Sequence, residues 1–263
     1  MLPTISNFLL KIFKAYIGTL KNFVPYILIF FLLFAFVFFA QFSSILFFTL
    51  IPGTFTRTII YLFGLTVVSF SSFMMSVALI RVIGVHYTLQ TVPKFFDNLK
   101  SSFLLTIKNI LALVLLGIPA ILVYVVYFAS LMGYMSIKLM LLSYFIVIFI
   151  GILFVFWLSF VIVAIALEKQ KGFEAFRSSI AIVRGRVWQV FLRLLIPTLL
   201  FYVLFLIYNE IFFKLFGFGI LYTILVLLFA LLAIPLGAVV PTVLYLELKQ
   251  PAVGDFELKN RKV

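Results

Sequence analysis

Cysteine is absent from this 263-residue sequence, which excludes disulfides, a thiolate nucleophile and cysteine metal sites. Histidine occurs once and acidic residues only seven times. Metal-dependent hydrolysis draws on several His and carboxylate ligands with an acid or base beside them, and that inventory is missing. Charge of either sign is scarce: charged residues make up 10% of the chain, against about a quarter in soluble domains. Hydrophobic residues fill the space at 66%, with 36 Phe and 12 Tyr, and the mean hydropathy is +1.35. Such a chain is neither disordered nor a soluble domain. Its fold class is expected to be an all-α membrane protein.

A helix crosses the hydrocarbon with about 20 mainly apolar residues. Charge-free runs of that kind are Val24 to Leu50, Thr58 to Ile80, Ile110 to Leu131, Leu139 to Leu167, Leu194 to Tyr208 and Phe218 to Leu246. Six transmembrane helices are therefore expected. The fifth run is short and borrows residues from Val187 onward, with Arg193 snorkelling towards the headgroups. The first is too long for the apolar stretch of a signal peptide, and no small-x-small cleavage site follows it.

The few charges are lopsided, with 20 Lys and Arg giving a formal net charge of +13. Lys11, Lys14 and Lys21 precede the first span; Arg81, Lys94, Lys100 and Lys108 fall between the second and third. Lys169, Lys171, Arg177, Arg184, Arg186 and Arg193 fall between the fourth and fifth, and Lys249, Lys259, Arg261 and Lys262 follow the last. Only Arg57, Lys138 and Lys214 belong to the opposite side. Basic residues are retained in the cytoplasm, so both termini are expected there, in a multi-pass cytoplasmic (inner) membrane protein. Interfacial aromatics agree: Tyr16, Tyr26, Tyr87, Trp188 and Tyr245 mark the inner boundary, and Tyr61, Tyr127, Tyr134, Tyr144, Tyr208 and Tyr222 the outer one.

Three segments carry apolar residues at helical spacing beside charge, the pattern of helices lying in the membrane interface. The first has Ile5, Phe8, Leu9, Ile12, Phe13, Tyr16, Ile17 and Leu20. The second, after Pro93, has Phe95, Phe96, Leu99, Phe103 and Ile107 opposite Asp97, Lys100, Ser101 and Lys108. The third has Phe173, Phe176, Ile180, Val183 and Val187 with Glu174, Arg177, Ser178, Arg184 and Arg186. The second and third align without a gap at an offset of 77: Phe96 with Phe173, Asp97 with Glu174, Lys100 with Arg177, Ser101-Ser102 with Ser178-Ser179. Ile118-Pro119 and Ile196-Pro197 recur at an offset of 78. Arg81, Glu168 and Glu247 end the even spans, 87 and 79 residues apart. These matches predict a single integral membrane domain over 1–263, built from three units at approximately 4–83, 91–167 and 172–247, with a short cytoplasmic tail at 248–263. Each unit is an interfacial amphipathic helix, an elbow and a helical hairpin. Equivalent positions allow Arg81 to pair with Glu168 and Glu247 between repeats, or leave three separately solvated charges.

The text Glu168-x-x-x-Gly172-x-Glu174-Ala175-x-x-x-Ser178, running on to Arg184-Gly185-Arg186-Val187-Trp188, resembles the bacterial membrane domain fused to some glycerophosphodiester phosphodiesterases. Stand-alone multi-pass proteins carry the same elements. The ending Leu244-Tyr245-Leu246-Glu247-Leu248-Lys249 and Asp255-Phe256 is similar to that family's closing segment, although the family more often has Tyr or Asp and then Arg where this chain has Glu247 and Lys249. The specific likeness covers about 30 residues around Glu168 to Trp188 and implies a multi-pass bacterial domain with no well-defined activity of its own. The phosphodiesterase chemistry is not implied, because the catalytic barrel has no counterpart in this sequence.

Nothing in the sequence builds a catalytic centre. His86 has no carboxylate near it, and Ser69, Ser71, Ser72 and Ser76 suit helix packing and back-bonding better than nucleophilic attack. No Gly-rich phosphate loop is present. No charge stands mid-span, where ion-coupled transporters keep one; Gln41 is the most polar deep residue, and Asn209 and Glu210 reach the outer boundary beside Lys214. Pro119, Pro197, Pro235, Gly237 and Pro241 supply breaks that a permease could use, and Ala233-x-x-x-Gly237 suits close helix packing. The expected function is a non-catalytic, lipid-interacting scaffold or subunit of a membrane assembly, without metal or cofactor. The alternative is a permease or translocator of a lipid-like or neutral substrate. Anionic headgroups of the cytoplasmic leaflet are the expected partners, held by Lys169, Lys171, Arg177, Arg184 and Arg186 with Trp188 as anchor. A membrane-protein partner or a homo-oligomer is also compatible. Nucleic acid is excluded, since the cations flank spans instead of forming a soluble patch.

Overall fold

The computed structural model describes residues 4–47, 54–88, 92–112, 160–217 and 219–249, with short pieces at 114–115, 122, 138–139 and 141–146. The chain is all-helical, and the described residues contain no strand. The helices are α1 (Ile5–Phe47), α2 (Thr54–Tyr87), α3 (Phe95–Lys108), α4 (Val161–Glu168), α5 (Gly172–Val183), α6 (Val187–Phe216) and α7 (Ile220–Lys249). Two segments among the described residues are long and apolar enough to cross a membrane, Ser69–Tyr87 in α2 and the whole of α6. Most of the expected third span, about half of the fourth, Pro119 and the tail beyond Lys249 lie outside the described residues.

Helix ends follow local chemistry. Pro93 and the extended Lys94 (ψ 144°) start α3, with Asp97 in its first turn and Lys108 in its last, both favourable to the helix dipole. Asn109 stops it: its side-chain amide donates to the Leu105 carbonyl, and its Oδ1 accepts the Gly172 N–H at 2.8 Å. One side chain thus finishes α3 and starts α5. The second elbow lies at Arg184-Gly185-Arg186, where Gly185 takes φ 79°, a value that would strain any residue with a Cβ. The first unit differs from expectation, because α1 runs unbroken for 43 residues through Pro25. Residues 18–25 offer no left-handed position, and Thr19 stays helical by donating to the Ala15 carbonyl at 2.6 Å. The fifth span also proves longer than its charge-free run: α6 is 30 residues, and Arg193 is buried inside it, donating to the Gln189 carbonyl one turn back instead of reaching the surface.

The core lies where α2, α4 and α7 end. Val77, Ala78 and Leu79 of α2, Ala164, Ile165 and Ala166 of α4, and Val243, Leu244 and Tyr245 of α7 are all buried. They stand four, three and two residues before Arg81, Glu168 and Glu247 respectively. The first half of α1 covers this core with Phe8, Ile12, Ala15, Thr19, Phe23 and Tyr26. Helix α2 is central, packing against α1, α3, α4 and α7.

Helices α3 and α5, which match two of the expected interfacial segments, face inward differently from their apolar stripes. The buried residues are Asn98, Ser102 and Thr106 in α3 and Ala175, Ser179 and Val183 in α5, each pair separated by 77. Small side chains let the helices approach closely. The hydroxyls are satisfied within α3, Ser102 donating to Asn98 O and Thr106 to Ser102 O, both at 2.8 Å. The large apolar residues Phe96, Ile107, Phe173 and Ile180 are exposed, and Phe103 meets the Phe70 ring of α2 edge to face at 5.8 Å.

Candidate functional site

The charged end of the bundle holds two carboxylate clasps of the same chemistry. Glu247, at the end of α7, accepts from the Lys11 ammonium of α1 at 2.6 Å and from the Tyr87 hydroxyl of α2. Glu168, at the end of α4, accepts from the Tyr245 hydroxyl and the Lys249 ammonium of α7, and its second oxygen accepts from Gln170 at 2.8 Å. Each acid is thus held by one phenol and one ammonium from other elements. The Glu247 side chain is only 8% exposed, so its charge has lost most of its water and depends on these donors. Lys249 also lies 5.3 Å from the Tyr245 ring centre. Tyr16 adds a further tie between α1 and α7, donating to Leu232 O at 2.9 Å. Burial raises the Tyr16 phenol above its ordinary range, which keeps that donor protonated.

Glu168 and Glu247 are therefore ion-paired between elements, but their cations are Lys249 and Lys11. Arg81 is in neither pair: its Nη1 reaches Asn98 O at 3.4 Å. Geometry explains this, since α3 packs on α2 and places Asn98 beside Arg81. Asn98 fastens three helices, its Nδ2 donating to Tyr26 Oη of α1 at 2.8 Å and to Ala78 O of α2 at 2.9 Å. The Tyr26 and Phe95 rings meet edge to face at 4.8 Å.

The proposed headgroup residues form an outward face. Lys169, Lys171, Arg177, Arg184 and Arg186 are all exposed, and none is in an ion pair among the described residues. Trp188 is 73% exposed and stacks edge to face on Phe191. Lys169 ends α4 at φ 55°, a left-handed conformation that costs a lysine about 1 kcal/mol. Phe96 and Phe173, equivalent in the 77-residue alignment, are 79% and 70% exposed.

His86 packs on α1 at Gly18, where a Cβ would stand 2.5 Å from His86 Nε2. Ser76 donates to Ser72 O at 2.8 Å, the back-bonding expected of the α2 serines. No three His, Cys, Asp or Glu side chains gather among the described residues.

Sequence reasoning singled out Glu168 and Glu247 but missed Lys11, Tyr87, Tyr245 and Lys249 as their partners. Those residues entered only as topology charges and boundary aromatics. Their convergence on carboxylates was signalled by nothing local, since Lys11 and Glu247 are 236 residues apart. Comparison with family models, curated proteins and solved structures finds no match.

Proposed function

We propose that the chain is a six-span, multi-pass inner-membrane protein of three interfacial-helix-plus-hairpin units, with both termini cytoplasmic. It acts as a non-catalytic scaffold or assembly subunit that grips anionic lipid at its charged end. The main support is the outward face of α3, α5 and the start of α6, where Phe96, Phe173 and Trp188 stand more than two-thirds exposed among exposed Lys and Arg. Water would penalise that much bare aromatic surface, whereas the headgroup boundary accommodates rings and cations together. Each juxtamembrane cation adds about 1 kcal/mol of attraction to an anionic leaflet. The matching buried triplets of α3 and α5, and the shared burial pattern ahead of Arg81, Glu168 and Glu247, support the repeat. The resemblance to the phosphodiesterase-fused membrane domain belongs to the same proposal. It rests on Glu168 to Trp188, the stretch from the second clasp through α5 to its elbow.

Brominated lipids test this reading in a Trp157→Phe chain, which leaves Trp188 as the sole tryptophan, excited apart from the tyrosines at the red edge of its absorption. Brominated phosphatidylglycerol is expected to quench Trp188 more strongly than brominated phosphatidylcholine, and neutralising Arg177, Arg184 and Arg186 together to Gln should erase the difference. Absence of quenching by either lipid contradicts it.

A further inference from the structure

Arg81 occupies the position that holds a carboxylate in the other two units, and its surroundings differ in kind. Glu168 and Glu247 each collect a phenol and an ammonium. At the third position the charge is reversed, the phenol is Tyr26, and no described carboxylate lies within ion-pair distance of Arg81. Arg81 is half-buried. A guanidinium carries five N–H donors. Among the described residues the one acceptor of Arg81 is the Asn98 carbonyl at 3.4 Å, which also accepts from the Ser102 hydroxyl at 2.8 Å. Tyr26, 2% exposed, receives the Asn98 amide, and its own O–H proton has no acceptor among the described residues. Arg81 and Tyr26 both meet the same residue, Arg81 at the Asn98 carbonyl and Tyr26 at the Asn98 amide. Two strong donors therefore converge at the junction of α1, α2 and α3, and no described carboxylate pairs with either. The fully buried Asn98 Oδ1 beside them lacks a donor. Asp97 and Lys100, the charges on α3 nearest to Asn98 in sequence, are both exposed.

We propose that Arg81 and Tyr26 bind a phosphate group that also carries a nearby hydroxyl. The phosphate oxygens accept from the guanidinium and the phenol, and the hydroxyl donates to Asn98 Oδ1. Arginine suits this task because its planar fork matches two phosphate oxygens at once. Two sources supply such chemistry: the phosphoglycerol headgroup of a lipid, and free hydrogen phosphate. Only the lipid source rests on the membrane reading above.

The test uses the full chain in phosphatidylcholine nanodiscs, titrated with phosphatidylglycerol and read by native mass spectrometry. A parallel arm titrates inorganic phosphate in lipid-free detergent and reads thermal shift. The wild-type chain is expected to retain one phosphatidylglycerol, or to bind one phosphate, with Arg81→Gln weakening that binding on the order of tenfold. Tyr26→Phe should weaken it severalfold, and this variant stands alone if Arg81→Gln does not fold. Saturation in the lipid arm only identifies a headgroup; saturation in both identifies free phosphate as a sufficient ligand. Binding unchanged in Arg81→Gln, or in Tyr26→Phe where only that variant folds, overturns the site. Loss only on neutralising Arg177, Arg184 and Arg186 also overturns it while leaving the outer basic face intact. A wild-type chain that retains neither ligand overturns both.

Discussion

The charged end and the α6–α7 hairpin are built from similarly apolar sequence and are held together in opposite ways. At the charged end, contacts are long-range: Lys11 with Glu247, Tyr245 with Glu168, Asn98 with Tyr26. Apolar side chains there are buried against other helices. The hairpin is held by two neighbours in sequence. Phe229 of α7 lies against Phe201, Phe205 and Tyr208 of α6, with centroids 5.1, 5.6 and 4.5 Å apart, and Tyr222 donates to Asn209 at 2.5 Å. Its outer surface is bare, with only 17% of the apolar window of α6 buried, against 50% for that of α2. The difference teaches where each region obtains its stability. Protein supplies the surroundings of the charged end, and the hairpin presents an apolar outer surface of the kind an apolar solvent would cover.

Breaking a clasp should give the largest effect. Glu247→Ala leaves the half-buried Tyr87 hydroxyl without its acceptor and releases Lys11, which at 42% exposed can turn to water, so the loss should cost about 2–3 kcal/mol. Denaturant unfolding in detergent measures it. Next, Asn98→Ala should cost about 1–3 kcal/mol by freeing the Ala78 carbonyl and the Tyr26 hydroxyl. Tyr87→Phe should fall at the low end of that range, because Lys11 still holds Glu247. In the hairpin, Tyr222→Phe removes one bond between adjacent helices and should cost about 1 kcal/mol. The smallest effect belongs to Lys214→Ala. Its pair with Glu210 is 3.0 Å long with both side chains more than 60% exposed, and exposed pairs of this kind contribute about 0.5 kcal/mol or less. An inverted order, with the hairpin variants costing more than the clasp variants, breaks the comparison.

Local features were legible in the sequence because local chemistry decides them. Pro93 marks the start of α3, and Glu210 and Lys214 meet one turn apart, whereas Asn109 and Gly185 gave no boundary in the apolar spacing, which carried the third segment through to Val187. Apolar periodicity located helices α3 and α5 but not their inner faces. In a soluble helix the largest apolar residues point inward, whereas α3 turns Asn98, Ser102 and Thr106 inward and Phe96 outward. Cross-helix partners were illegible for a different reason. The phenol and ammonium that hold Glu247 come from α2 and α1, and no spacing rule links them to it. Arg81 shows the same limit: its equivalence to two carboxylates was readable, and its placement against Asn98 instead of either carboxylate needed the packing of α3 on α2.

The most direct measurement of the central claim uses the absence of cysteine. Arg184→Cys marks the charged end, and Lys214→Cys marks the tip of the hairpin 30 residues later. A membrane-impermeant maleimide is applied to intact cells and then to permeabilised ones. Labelling of Lys214→Cys in intact cells, with Arg184→Cys labelled only after permeabilisation, is the expected result. Labelling of both from the same side, or recovery of the chain in the soluble fraction, would contradict it.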